Sequence, residues 1–213
     1  MKYFIVVFIV LSFNCADKKK YHDTSENQQE IESAKLTNIR KFQKELNASY
    51  KNPETSPLPD RYRKNFEGLD FFAPDTNYVV KARFLRTPNS KPFLMPTTTD
   101  RSSKEVVYGI VSFVLNGKKH QLEVYQNPEL SKEEGYESYL FLPFTDITNG
   151  EETYGGGRYI DTTIPDGDTM QIDFNTAYNP YCAYNKKYSC PIVPQVNHLK
   201  TAVLAGVKTF KKK

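Results

Sequence analysis

The Asn116 and Gly117 pair constrains the fold of this chain most strongly, because it stands between two runs rich in β-branched and aromatic residues. Asn-Gly adopts the positive backbone angles of a type I′ turn, a common two-residue connection in β-hairpins. We therefore predict a hairpin over residues 106–126. This turn pairs Phe113 with His120, Val111 with Leu122, Gly109 with Val124, Ser112 with Gln121 and Tyr108 with Tyr125.

Further short apolar runs before and after this hairpin indicate additional strands. Residues 78–85 alternate between apolar and polar positions, which is typical of a half-buried strand. Other runs lie at 139–142, 158–160, 170–174 and 201–204, separated by Gly, Pro, Asn and Asp. Many short strands with turn signals between them are typical of antiparallel sandwiches and barrels. We expect one mainly β domain, an antiparallel barrel or sandwich-like structure, over residues 60–210.

One helix is predicted before this domain, over residues 29–52. Its apolar positions recur at helical spacing, and Pro53 ends the pattern. These positions are Ile31, Ala34, Ile39, Phe42 and Leu46. We expect an amphipathic helix that packs on the β domain.

The N-terminus has the pattern of an export signal. An apolar run over residues 3–13 follows Lys2 and is shorter than the roughly 20 residues that a bilayer-spanning helix needs. Cys15 follows in the frame L-S-F-N-C, which resembles a bacterial lipobox. We predict a signal peptide over residues 1–14, a lipid on Cys15 and a flexible tether over residues 15–28. The alternative is an ordinary signal peptide with an incidental cysteine.

These features predict a cell-envelope protein that faces the periplasm or the cell exterior and contacts the membrane through its lipid. The formal net charge is +4, and lysines concentrate at residues 18–20 and 211–213. Such terminal runs are typical of solvated ends, and the interior lacks a basic stripe interleaved with aromatics. We therefore expect no nucleic-acid partner.

Residues 150–194 are the densest in Gly, Tyr, Asn, Asp and Pro, a mixture that builds sites and rigid loops. Within them, three consecutive glycines precede a single arginine. Glycines let backbone N–H groups approach an anion, and an arginine can clamp a carboxylate or phosphate. The motif reads Tyr154, Gly155, Gly156, Gly157 and Arg158. The alternative is a tight turn into a strand, with Arg158 paired to Asp146 or Asp161.

Two cysteines would remain if Cys15 carries a lipid. Exported proteins fold where disulfides form, so Cys182 and Cys190 are predicted to form one bridge. A metal or redox site, or a nucleophile paired with His198, are the alternatives. Zinc ligands usually come in pairs two to four residues apart, unlike these two. We expect no metal and no cofactor.

Several motifs of this region resemble one known family. They are F-L-P-F-T-D-I-T-N-G-E-E-T-Y-G-G-G-R-Y-I-D, then I-D-F-N-T-A-Y-N-P-Y-C-A-Y-N-K-K-Y-S-C-P-I-V-P-Q-V-N-H-L, then A-G-V-K. The chain resembles the bacterial domain-of-unknown-function family 1684 over about residues 60–208, including G-L-D-F-F-A-P-D. The resemblance implies a domain boundary and carries no established activity.

Three functions are compatible with this sequence. The first is a binding module that takes a small polar or anionic ligand in a pocket formed by the loops of residues 146–198. The predicted ligand-binding residues are the glycine-arginine motif of residues 154–158 together with Asp173, Asn179 and His198. The second is a hydrolase that uses Cys182 or a carboxylate with His198. The third is a structural lipoprotein of the envelope. The first two require the glycine-arginine turn and the cysteine-bearing loop to meet at one opening.

Overall fold

The computed structural model describes residues 23–211, with their side chains from residue 28 onward. Within these residues, two helices precede eight strands. The helices are α1 (Asp23–Lys51) and α2 (Asp60–Arg63). The strands are β1 (Val79–Arg86), β2 (Phe93–Pro96), β3 (Ser102–Leu115), β4 (Lys118–Gln126), β5 (Tyr139–Asp146), β6 (Arg158–Thr163), β7 (Thr169–Asp173) and β8 (His198–Leu199). Neither helix in this part of the chain has the length and apolarity to cross a membrane.

The strands form one sheet in the order β6-β5-β4-β3-β1-β7. Neighbours along this path are antiparallel, β2 adds to β3, and β8 lies parallel to β5. The sheet stays open, with β6 and β7 at its ends. The predicted class, a mainly antiparallel β domain with one N-terminal helix, is confirmed.

The β3–β4 hairpin has the predicted turn, with φ of 51° at Asn116 and 72° at Gly117. Four of the predicted pairs form as expected. Tyr125 instead pairs with Val107, because a bulge shifts the register between Val107 and Gly109. Bulged Tyr108 uses its carbonyl oxygen to accept a bond of 3.1 Å from the N–H of Thr87.

Strand alternation divides the apolar residues between two faces of the sheet. Successive strand residues point to opposite faces. In β6, Ile160 joins the main core, whereas Tyr159 joins a second cluster with Met95, Tyr125 and Phe141 on the other face. This second face carries the cavity described below.

Helix α1 closes one side of the domain through its apolar stripe. Ile39 and Tyr50 are fully buried, and Tyr50 packs in a third cluster with Leu69, Tyr184 and Val207. The helix therefore covers the loops that contain the two cysteines. It begins at Asp23 rather than residue 29, so residues 23–28 of the predicted tether are helical.

Residues 201–204 were predicted as a strand, but they do not form one in the structure. The backbone of Val203 binds side chains instead: its N–H donates to Asp146 and its carbonyl oxygen accepts from Arg158. The strand in this part of the chain is β8, which ends just before residues 201–204. The predicted signal peptide, the lipidation of Cys15 and residues 15–22 of the tether lie outside the described residues.

Candidate ligand pocket and cysteine pair

Arg158, predicted to clamp an anionic ligand, is fully buried in the main core. Its Nη2 donates to Asp146 Oδ2 over 2.8 Å and to the carbonyl oxygen of Val203 over 2.9 Å. Its Nη1 donates to the carbonyl oxygen of Ala205. The guanidinium is inaccessible to a ligand in solvent, so the prediction that Arg158 clamps a ligand is wrong. The alternative interpretation, in which Arg158 pairs with Asp146, is the one that the structure has. The cause is strand alternation, which places Arg158 on the same face of β6 as Ile160.

The buried ion pair is supported by further hydrogen bonds. Asp146 Oδ1 accepts from the N–H and the hydroxyl of Thr148, over 3.0 and 2.7 Å, and from the N–H of Val203 over 3.2 Å. Burial lowers the pKa of Arg158, and the charge of Asp146 opposes this shift. The pair therefore joins β5 and β6 to the chain segment around Val203, and its role is structural.

The three glycines form a tight turn into β6. Gly157 has a φ of +90°, and a Cβ added there would lie 2.7 Å from the carbonyl oxygen of Phe144. The N–H of Gly157 already donates to the carbonyl oxygen of Tyr154 over 3.1 Å. Gly155 and Gly156 are exposed. The glycines thus serve the turn, as the alternative interpretation proposed.

Three other predicted ligand residues contact different parts of the chain. Asp173 caps a short turn by accepting from the N–H of Asn175 over 2.9 Å, and burial raises its pKa. Asn179 is buried and donates to the carbonyl oxygen of Lys208 over 2.9 Å. His198 is exposed, with Nδ1 3.0 Å from the hydroxyl of Thr145. None of the three lines the cavity described below.

The two cysteines do meet the glycine turn, although through Tyr154 rather than Arg158. The hydroxyl of Tyr154 lies 3.9 Å from Sγ of Cys182. The N–H of Cys182 donates to Sγ of Cys190 over 3.1 Å, and both cysteines are free thiols in this structure. Cys182 and Cys190 are therefore neighbours, as predicted, but the predicted disulfide between them is not formed in this structure.

The two thiols have unequal environments. Cys182 is partly exposed, and a hydrogen bond from Cys190 lowers its pKa to about 6. The same bond, together with burial, raises the pKa of Cys190. Among the described residues, Tyr154 and Thr98 are the other side chains that stabilise the Cys182 thiolate. His198 is not among them, so the geometry does not favour the predicted cysteine–histidine hydrolase.

A cavity of about 370 Å³ lies between α1 and the cysteine-bearing loop. Phe42 and Leu46 of α1 form one wall. The opposite walls are formed by four tyrosines, Tyr159, Tyr178, Tyr181 and Tyr188. Asp161 and Cys190 also line it. Helix and loop lie far apart in the sequence, so the cavity depends on tertiary packing.

Among the described residues that line this cavity, Asp161 is the charged group, and none is Lys, Arg or His. The hydroxyls of Tyr139 and Tyr178 both donate to its Oδ1 over 2.7 Å. Burial raises the pKa of Tyr159 and Tyr178, so both phenols stay neutral. Tyr159 stands nearly perpendicular to Tyr178, with ring centroids 6.0 Å apart. The result is an aromatic cavity with one carboxylate.

Sequence reasoning did not identify the cavity tyrosines. The period-two rule applied to R-Y-I-D would have placed Tyr159 and Asp161 together, on the face opposite to Arg158. No comparable local signal indicates Tyr181 or Tyr188, which lie outside the strands.

These features define a class of protein: an open antiparallel β domain with an N-terminal helix and a tyrosine-lined cavity between them. Residues 64–208 match the model of a family described as protein of unknown function (DUF1684), and the chain belongs to this family.

A solved relative supports the same fold. The chain is similar to an uncharacterized protein of Haloarcula marismortui, whose structure was determined by solution NMR, with 32% identity and a TM-score of 0.65. The match covers 87% of this chain and 97% of the relative. No functionally curated protein matches the chain.

Proposed function

We propose that the protein is a binding module whose tyrosine-lined cavity takes a small organic cation. The observation that carries this proposal is the position of Asp161, the charged side chain of the lining, among four tyrosine rings. Two tyrosine hydroxyls donate to its Oδ1, so its second oxygen, Oδ2, is the acceptor that we assign to the ligand.

The chemistry of the walls selects positive charge. Aromatic faces attract cations through their quadrupoles, by about 0.5–2 kcal/mol per contact depending on desolvation. A carboxylate adds a direct counter-charge, and the cavity volume is typical of small-ligand sites. The sequence-based expectation of an anionic ligand depended on Arg158, which is buried elsewhere. A carboxylate in the lining, without a basic side chain among the described lining residues, disfavours an anion.

Choline is a suitable probe, because its carbon isostere has the same shape without the charge. We expect the purified protein to bind choline in calorimetric titration and to bind the neutral isostere more weakly. Asp161→Asn should weaken choline binding about tenfold, since it removes the counter-charge while preserving the shape of the side chain.

The control is Asp166→Asn, which removes the same charge from an exposed loop outside the cavity lining. It should leave choline affinity unchanged. Equal binding of choline and its isostere, or equal loss in both variants, would contradict a cation site. Absence of choline binding at millimolar concentration would do the same.

We further propose that the protein is exported and held at the membrane by a lipid on Cys15. The support is the short apolar run followed by L-S-F-N-C. Cys15→Ser should abolish metabolic labelling with a radioactive fatty acid, because it removes the thiol that carries the lipid. The protein should also leave the membrane fraction.

Cys182→Ser is the matched control for this labelling, since it removes a thiol far along the chain. It should keep the label and the membrane association. Equal labelling of Cys15→Ser and the wild type would show that the lipid is absent or attached elsewhere.

A further inference from the structure

The two cysteines have a second potential chemistry that the binding function does not use. The N–H of Cys182 donates to Sγ of Cys190, and the two thiols are hydrogen-bonded to each other. Asp161, which carries the binding proposal, does not take part in these contacts. Cys190 lines the same cavity as Asp161, but the contacts of the two cysteines do not involve that carboxylate.

The two thiols differ in access and in rigidity. Cys182 is partly exposed and lies in the middle of a single helical turn, Tyr181–Ala183. Cys190 is only 6% exposed. Thr98 holds it at both backbone groups, because Cys190 N–H donates to the Thr98 hydroxyl over 3.1 Å and Thr98 N–H donates to the Cys190 carbonyl over 2.9 Å. Cys182 is thus the more accessible thiol, while Cys190 is held in place next to it.

The environment also makes Cys182 the better nucleophile. The thiolate, rather than the thiol, attacks disulfides. Cys190 and the hydroxyl of Tyr154 both supply hydrogen bonds to Sγ of Cys182. The lowered pKa of Cys182 and the raised pKa of Cys190 favour the thiolate at Cys182. Such an accessible thiolate in front of a buried thiol is the arrangement that thiol–disulfide exchange requires.

We propose that Cys182 and Cys190 reduce small organic disulfides, with Cys182 as the attacking residue and Cys190 as the resolving residue. Sγ of Cys182 attacks one sulfur of R–S–S–R′, which breaks the S–S bond and forms a mixed disulfide. R′–S⁻ leaves with the electron pair and takes a proton from solvent.

The second step closes the cycle within the protein. Cys190 loses its proton to solvent, and its Sγ attacks Sγ of Cys182. R–S⁻ leaves and is protonated, so the external disulfide gains two electrons and two protons and the two protein thiols become one disulfide. The bridge predicted from the sequence is then the oxidised state of a reactive couple rather than a permanent brace.

Ellman's reagent, a small aromatic disulfide, tests this mechanism on the full-length chain. In a Cys15→Ser background, Cys182 and Cys190 are the remaining thiols of the three cysteines. We expect the reduced native protein to release two equivalents of the coloured thiolate and to carry no adduct in intact-mass spectrometry. Cys190→Ser should release one equivalent and retain the adduct on Cys182. Cys182→Ser should react at least about tenfold more slowly, because its remaining thiol is buried.

Three results would overturn the proposal. These are a lasting adduct on the protein with both thiols, equal reaction rates for Cys182→Ser and the unsubstituted pair, and an oxidised native protein that glutathione fails to reduce. The last result would identify a structural bridge. Circular dichroism checks that each variant is folded. If Cys190→Ser fails to fold, Cys190→Ala provides the same trapping test without a new hydroxyl in a buried position.

Discussion

Arg158→Met should lower the free energy of unfolding by about 3–5 kcal/mol, as measured by urea denaturation at neutral pH. The substitution keeps most of the apolar side-chain volume but leaves Asp146 buried without its cationic partner. An uncompensated buried charge is far more costly than the net stability of the pair it came from. A loss of this size is a large share of the 5–15 kcal/mol typical of a domain.

Two further variants separate the ion pair from side-chain size. Arg83→Met changes an exposed arginine of β1 and should alter stability by no more than about 0.5 kcal/mol. Combining Arg158→Met with Asp146→Asn removes both charges and keeps an oxygen acceptor for Thr148 and Val203. The loss of stability in this double variant should be smaller than the sum of the losses in Arg158→Met alone and Asp146→Asn alone. Additive losses would show that the two groups do not stabilise each other.

Gly157→Ala should destabilise the protein by about 2–5 kcal/mol, again measured by urea denaturation. The positive φ disfavours any residue with a Cβ by about 1–2 kcal/mol, and the clash with the Phe144 carbonyl oxygen adds a further strain of about 1–3 kcal/mol. The backbone cannot relax easily, because Phe144 pairs with Arg158 across β5 and β6.

Gly155→Ala is the control within the same three-glycine run. A Cβ at Gly155 would meet its nearest atom at 3.7 Å, an ordinary contact. This variant should keep wild-type stability within about 0.5 kcal/mol. If both alanine variants were equally destabilising, the loss would come from the general flexibility of the run and not from the backbone angle at Gly157.

Interpretation of local sequence patterns had one success and one failure among the strands. The Asn-Gly turn predicted the register of the β3–β4 hairpin as far as Gly109 and Val124, because a two-residue turn sets the pairing locally. In β6 the chemical character of Arg158 suggested a ligand, although its position in R-Y-I-D assigns it to the face opposite Tyr159 and Asp161. A charged residue in a motif therefore has to be placed on a strand face before it is given a role.

The bulge at Tyr108 and the loss of the strand predicted at 201–204 have a different cause. Both depend on partners distant in sequence: Thr87 for the Tyr108 carbonyl, and Asp146 with Arg158 for the backbone of Val203. Local patterns carry no information about such partners.

The sequence by itself determined the β class, the hairpin turn and its register as far as Gly109, the helix and the family, because these follow from turn chemistry and from the spacing of neighbouring residues. Only the tertiary structure decided that Arg158 is buried against Asp146, that Tyr154 reaches Cys182, and that α1 closes a tyrosine-lined cavity around Asp161. The physical reason is that burial and contact depend on which distant segments pack together, and packing is a property of the whole fold.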